Sequence, residues 1–208
     1  MYKLIIFDID GTLFNTKPGI ICAIDFVLKA YKSGNVCMEK QDRYIGPPIK
    51  ESLIKYHGFA DNEAEKAVQL YRKIYIDKYI TKSEPYEGLA EVLLALKSRE
   101  YILGIATMKT QGQVEKLLQI FDMSNYFTII KNAREDGTLS KKQMLIEIRR
   151  EYLSGSEKFI MVGDTQGDYE AAKKANFQFI GVDYGYGKIN DSTVPHISQL
   201  KDILDIII

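Results

Sequence analysis

The chain has 208 residues, enough for one good core and a small second domain, and 46% of them are apolar, as in ordinary soluble globular proteins. Its 28 acidic and 28 basic residues cancel, so bulk charge suggests no nucleic acid or other polyanionic partner. No run is long enough to span a membrane, no cleavable leader precedes the first strand, and Cys22 and Cys37 lack metal-ligand spacing, which together point to a cytoplasmic protein with reduced thiols.

The first element is the run Lys3-Leu4-Ile5-Ile6-Phe7, apolar on both faces, as expected of a strand buried within a parallel sheet. Asp8 and Asp10 follow, two residues apart, so the strand period aims them the same way, and Gly11 lets the backbone turn at once. Three readings compete here. An acidic strand end facing solvent is disfavoured, because carboxylates beside a buried strand are costly unless something uses them. A calcium loop of the EF-hand kind fails, since the glycine comes too early and no glutamate closes the loop. A nucleophile paired with an acid/base group around a magnesium ion makes chemical sense: one carboxylate attacks, the other moves a proton, and the cation holds the substrate and screens the charge.

Residues 15–84 read as helical. Pro18 opens a helix that runs to Tyr31, a second piece spans Met38 to Tyr44, and Gly46-Pro47-Pro48 breaks the chain. A third helix covers Ile49 to His57, and Asp61 is placed to cap a long fourth one reaching Ile80. These four helices form a predicted inserted domain, 15–84, between the two parts of a core made of 1–14 and 85–208.

From Pro85 the pattern alternates. Helices are expected at Leu89–Ser98, Gln111–Phe121, Lys141–Tyr152 and Asp168–Ala175. Strands are expected at Tyr101–Ala106, Phe127–Lys131, Lys158–Val162 and Phe177–Val182. Such alternation predicts an α/β fold, a parallel sheet with helices on both faces. Thr107 ends one of these strands just before a helix, where its hydroxyl and the following amides could meet a phosphate oxygen. Phe159-Ile160-Met161-Val162-Gly163-Asp164-Thr165-Gln166-Gly167-Asp168 is a second apolar strand that ends in glycine and carboxylates.

Asp8-Ile9-Asp10-Gly11-Thr12 after an apolar strand resembles the first motif of the haloacid dehalogenase-like hydrolase superfamily. Thr107, a lysine at the start of the helix after Ser140, and Gly163-Asp164 resemble the other three, in family order. The resemblance implies a Rossmann-like core with an inserted helical cap. Phe14 to Pro18, the Gly46-Pro47-Pro48 loop and Pro85-Tyr86-Glu87-Gly88 resemble the phosphoglycolate phosphatase-like branch.

For chemistry, it implies a Mg²⁺-dependent phosphatase with Asp8 as nucleophile and Asp10 as acid/base. Thr107, the Met108 amide and Lys141 (or its neighbour Lys142) would bind the phosphoryl group. Asp8, Asp164 and the backbone carbonyl of Asp10 would ligate the metal, and Asp168 would brace that set or cap its helix. Arg43, Gly46 and Lys50 are the expected contacts to the leaving group of a small phosphorylated metabolite, in a monomer or homodimer. Asp10 argues against dehalogenation, for which the family lacks that carboxylate. A phosphosugar mutase, a nucleotidase or pyrophosphatase, and a non-enzymatic binding protein are the alternatives.

Overall fold

The computed structural model describes residues 3–134, 138–152 and 158–207. The chain divides into two compact units, Met1–Asn15 with Pro85–Ile208, and Thr16–Glu84. β1 (Lys3–Phe7) and the short β2 (Phe14–Asn15) belong to the first.

The second unit holds α1 (Lys17–Ala30), α2 (Ile49–His57) and α3 (Asp61–Ile74). Its secondary structure departs from expectation in three places. The stretch Met38–Tyr44 is 3₁₀ and kinked at Lys40, not α-helical, so three α-helices rather than four are present among the described residues. Asp61 is not the cap of α3: Ala60 holds that position with extended backbone, and the Asp61 carboxylate accepts from Lys50 Nζ at 3.0 Å. The expected long fourth helix stops at Ile74 and continues as a π turn, Tyr75–Tyr79, and a 3₁₀ turn, Ile80–Lys82. The widened turn brings the Tyr79 carbonyl against Gly19 of α1, where a Cβ would lie 2.4 Å from that oxygen. Regular α-geometry is given up there for close helix packing.

The chain returns through β3 (Glu84–Pro85) and α4 (Leu89–Ser98), then alternates. In order come β4 (Tyr101–Thr110), α5 (Gln111–Ile120), β5 (Ile129–Ala133), α6 (Lys141–Tyr152), β6 (Lys158–Gly163), α7 (Gln166–Ala175), β7 (Gln178–Val182), β8 (His196–Ile197) and α8 (Ile203–Ile206). Six strands form one parallel sheet in the order β5-β4-β1-β6-β7-β8. β1 lies between β4 and β6 with Ile5, Ile6 and Phe7 fully buried, which is why it reads as apolar on both faces.

The period of two divides β1 between the faces. Leu4 and Ile6 join Met144, Leu145 and Ile148 of α6 and Ala171 and Ala172 of α7 in one core. Helices cover the opposite face as well, α4 and α5 packing against β4. The sheet order reverses between β4 and β6, on either side of β1. The crevice at the C-terminal ends of those strands is where open α/β sheets place their ligands.

Candidate active site

The backbone leaves β1 at Asp8, whose N–H still donates to the Val162 carbonyl of β6 at 3.0 Å. It then turns sharply: Gly11 takes φ +78°, and its N–H donates to the Phe14 carbonyl at 3.0 Å. The turn buries Ile9 completely and leaves Asp8 and Asp10 at the sheet's C-terminal edge, Asp8 only 6% exposed.

Lys141, the first residue of α6, reaches this edge. Its Nζ lies 2.9 Å from Asp8 Oδ1 and also pairs with Asp168 Oδ1. Its neighbour Lys142 is exposed. Asp164, at the end of β6, is 1% exposed. Its Oδ2 accepts from the Tyr186 amide at 2.8 Å and the Gly187 amide at 3.3 Å, while its buried Oδ1 has no protein donor. Backbone crowds this carboxylate: a Cβ on Gly185 would sit 2.2 Å from Asp164 Cβ, and one on Gly11 would sit 2.4 Å from Asp164 Oδ2.

Asp168 is fully engaged. Thr165 N and Thr165 Oγ1 donate to its Oδ2 at 3.1 and 2.7 Å, and Lys141 holds Oδ1. Its own N–H returns to Thr165 Oγ1 at 3.2 Å, completing a capping box for α7. Thr165 is the N-cap of α7, and the Asp168 carboxylate both closes its capping box and holds Lys141.

Thr107 is fully buried, and its Oγ1 accepts from the Lys109 amide at 3.3 Å, so the hydroxyl retains its own proton to donate. Met108 is 43% exposed and offers the site only its backbone. Contrary to expectation β4 does not stop before Thr107. It runs to Thr110 through an irregularity, which turns Lys109 inward so that its Nζ meets Asp10 Oδ1 at 2.9 Å.

The electrostatics follow from this crowding. Burial pushes the Asp8 carboxyl up to about 7, and Asp168, Asp10 and Asp164 add to the effect against the pull of Lys141. Burial, then Asp168, raises Asp164 to about 6 against the Tyr186 amide and Lys141. Burial opposes the charge on Lys141, but Asp168 and Asp8 outweigh it and hold the ammonium firmly protonated.

Among the described residues, carboxylate oxygens of Asp8, Asp164 and Asp168 lie within 4.8 Å of one another. When all are ionised, the four carboxylates (8, 10, 164 and 168) outnumber the two ammonium groups of Lys109 and Lys141 by two negative charges. That excess and the unpartnered Asp164 Oδ1 fit a hard divalent cation with oxygen ligands. Asp8 and Asp164 are the side chains able to hold it. Both oxygens of Asp168 are already occupied, and the Asp10 side chain is drawn towards Lys109.

Within the helical unit, Arg43 donates to the Tyr44 hydroxyl at 2.6 Å, with its guanidinium 4.8 and 4.5 Å from the ring centres of Tyr44 and Tyr56. Lys50 is held by Asp61 and, at 2.9 Å, by Glu65. Gly46 adopts φ +96° with no neighbouring atoms at the Cβ position. Lys50 is thus paired with two carboxylates, whereas the partners of the Arg43 guanidinium are uncharged and its buried Nε has none.

Two features escaped the sequence reading. Lys109 lies two residues past Thr107 on the same strand, a spacing that could have suggested it. The loop Tyr184-Gly185-Tyr186-Gly187 after β7 cradles Asp164, and its alternating glycines were the available signal. This loop is tied down at both tyrosines: Tyr184 Oη donates to the Thr12 carbonyl at 3.0 Å and Tyr186 Oη to Asn15 Oδ1 at 2.8 Å.

The haloacid dehalogenase-like hydrolase family model matches residues 5–182. A 5'-nucleotidase of Pseudomonas aeruginosa is 30% identical over 188 residues, covering 89% of this chain and 85% of that one. Phosphoglycolate phosphatase of Aquifex aeolicus is 29% identical over 208 residues, covering 98% and 97%. The crystal structure of a predicted phosphatase from Clostridium acetobutylicum superposes with a TM-score of 0.89 at 26% identity, over 100% of this chain and 98% of that one. With carboxylates, threonine and lysine gathered at the edge where that family carries its motifs, the chain belongs to the haloacid dehalogenase-like hydrolases, on their phosphoglycolate phosphatase-like branch, and is a phosphatase.

Proposed function

We propose that this phosphatase hydrolyses a small phosphomonoester through an aspartyl-phosphate on Asp8, and that it depends on Mg²⁺. The observation that carries the reading is the buried Asp8 carboxylate, paired with Lys141 and close to the Asp164 carboxylate, one of whose oxygens has no protein donor.

An Asp8 oxygen attacks phosphorus, and the bond to the leaving oxygen breaks as Asp10 protonates that oxygen. Asp10 then takes a proton from the water that attacks phosphorus, which releases inorganic phosphate and restores Asp8. The Thr107 hydroxyl and the Met108 amide donate to phosphoryl oxygens, and Lys141 offsets repulsion between the phosphate and the attacking carboxylate. Mg²⁺, held by Asp8, Asp164 and the Asp10 carbonyl, would supply further charge neutralisation. The helical insertion 16–84 is read as the cap domain that the family resemblance implies.

The names of the relatives favour two substrate classes, 2-phosphoglycolate and nucleoside 5'-monophosphates. Phosphate release should be measured on both, with Mg²⁺ and after chelation, alongside acid-quench trapping of phosphorylated protein. We expect chelation to lower release by about 100-fold or more and the trapped phosphate to map to Asp8. Undiminished release in chelator, or trapping at another residue, would overturn the reading.

A further inference from the structure

We infer that Lys109 is a positioning residue that aims the Asp10 carboxylate at the leaving oxygen. The inference rests on Asp10 being the proton carrier proposed above.

Lys109 Nζ lies 2.9 Å from Asp10 Oδ1, with the lysine side chain 4% exposed and that of Asp10 24% exposed. The ammonium therefore stands behind the carboxylate, and the accessible edge belongs to Asp10. A buried ion pair contributes little net stability, because desolvation offsets the attraction, so stability alone is a weak reason for so deep a lysine. What it does supply is direction. With one oxygen held by a fixed cation, the carboxylate has few rotations left, and its outer edge takes a defined orientation.

The backbone under Lys109 is built to hold that cation still. The pairing of β4 with β5 shifts between Thr107 and Thr110, the kind of irregularity that re-aims side chains at strand ends. The Lys109 amide is anchored on Thr107 Oγ1 at 3.3 Å, and the next amide, of Thr110, on Gln113 Oε1 at 3.0 Å in the capping box of α5. The same stretch thus fixes a phosphate-binding hydroxyl and the support of the proton carrier. Lys141 neutralises Asp8 and Asp168, and Lys109 gives Asp10 a cation of its own.

Leaving-group chemistry tests this. p-Nitrophenolate departs without a proton, whereas phenolate needs one, and the parent esters differ only by the nitro group. kcat/KM reports the steps up to departure, so it isolates protonation of the leaving oxygen. The wild type, Lys109→Met, Lys109→Gln and Asp10→Asn are compared on p-nitrophenyl phosphate and phenyl phosphate with Mg²⁺ present, after thermal melts establish that each variant is folded. Both Lys109 variants should widen the ratio of p-nitrophenyl to phenyl ester about tenfold or more, as Asp10→Asn does. If Asp10→Asn widens the ratio and the Lys109 variants slow both esters equally, Lys109 serves structure or phosphate binding and the inference fails alone. If Asp10→Asn leaves the ratio unchanged, the role given to Asp10 fails and takes the inference with it.

Discussion

Asp8→Asn should end turnover and, in the metal-free protein above neutral pH, raise stability. The first effect follows from removing the nucleophile: a carboxamide oxygen does not displace an alkoxide from phosphorus, and a fall in kcat of about 10⁴-fold or more is expected. The second follows from proton linkage. Burial and the neighbouring carboxylates raise the folded-state value for Asp8 from 3.8 to about 7. Between those two values the folded protein binds more protons than the unfolded chain. Its stability therefore declines as pH rises through that window, and the loss is complete above it. Asparagine does not ionise, so the variant escapes the loss, a gain on the order of 2–4 kcal/mol at pH 8 in chelator. Thermal melts at pH 8 and pH 4.5 should show the variant well ahead at the first and most of that lead gone at the second. Mg²⁺ should then raise the melting temperature of the wild type more than that of the variant. Near-normal turnover in Asp8→Asn, or a variant less stable than the wild type at pH 8, would count against this account of the site.

How much of this was legible beforehand differs by feature, for physical reasons. β1 and β6 announced themselves because strands buried on both faces must be continuously apolar, and carboxylates directly after such runs stand out. α2, α4 and α6 have their expected limits, since local periodicity and the Pro48 and Gly88 boundaries govern them. β5 begins two residues later than expected, at Ile129 rather than Phe127. A neighbour in space sets that start: the Thr128 amide reaches the Leu103 carbonyl of β4 at 2.9 Å. The π turn after α3 likewise packs against Gly19, more than fifty positions away. Lys109 and the Tyr186 loop were missed for the same reason. An ammonium beside Asp10 and an amide on Asp164 are contacts of the folded sheet, and nothing in the local pattern of β4 or β7 requires them.

Lys141→Met should do the opposite of Asp8→Asn to stability while also disabling the enzyme. The Lys141 side chain is 12% exposed, with Asp8 and Asp168 both on its ammonium. Methionine has similar length and fills the same channel, so the change removes charge with little loss of volume. Two buried carboxylates would then face each other without a cation, a cost of about 3–5 kcal/mol where both are ionised. The deficit should be largest at pH 8 in chelator and shrink towards pH 4.5, where protonation relieves the repulsion; urea denaturation at the two pH values measures it. Turnover with Mg²⁺ should fall about 10³-fold, because the charge that lets a phosphate approach a carboxylate is gone. The double variant Asp8→Asn with Lys141→Met separates pairing from packing. If the ammonium acts chiefly by balancing Asp8, adding Asp8→Asn to Lys141→Met should recover part of the lost stability, a coupling that two independent sites would not show. A Lys141→Met protein as stable as the wild type at pH 8 would mean that something other than this ammonium balances Asp8 and Asp168, and the charge arithmetic that favours a divalent cation would have to be redone from that group.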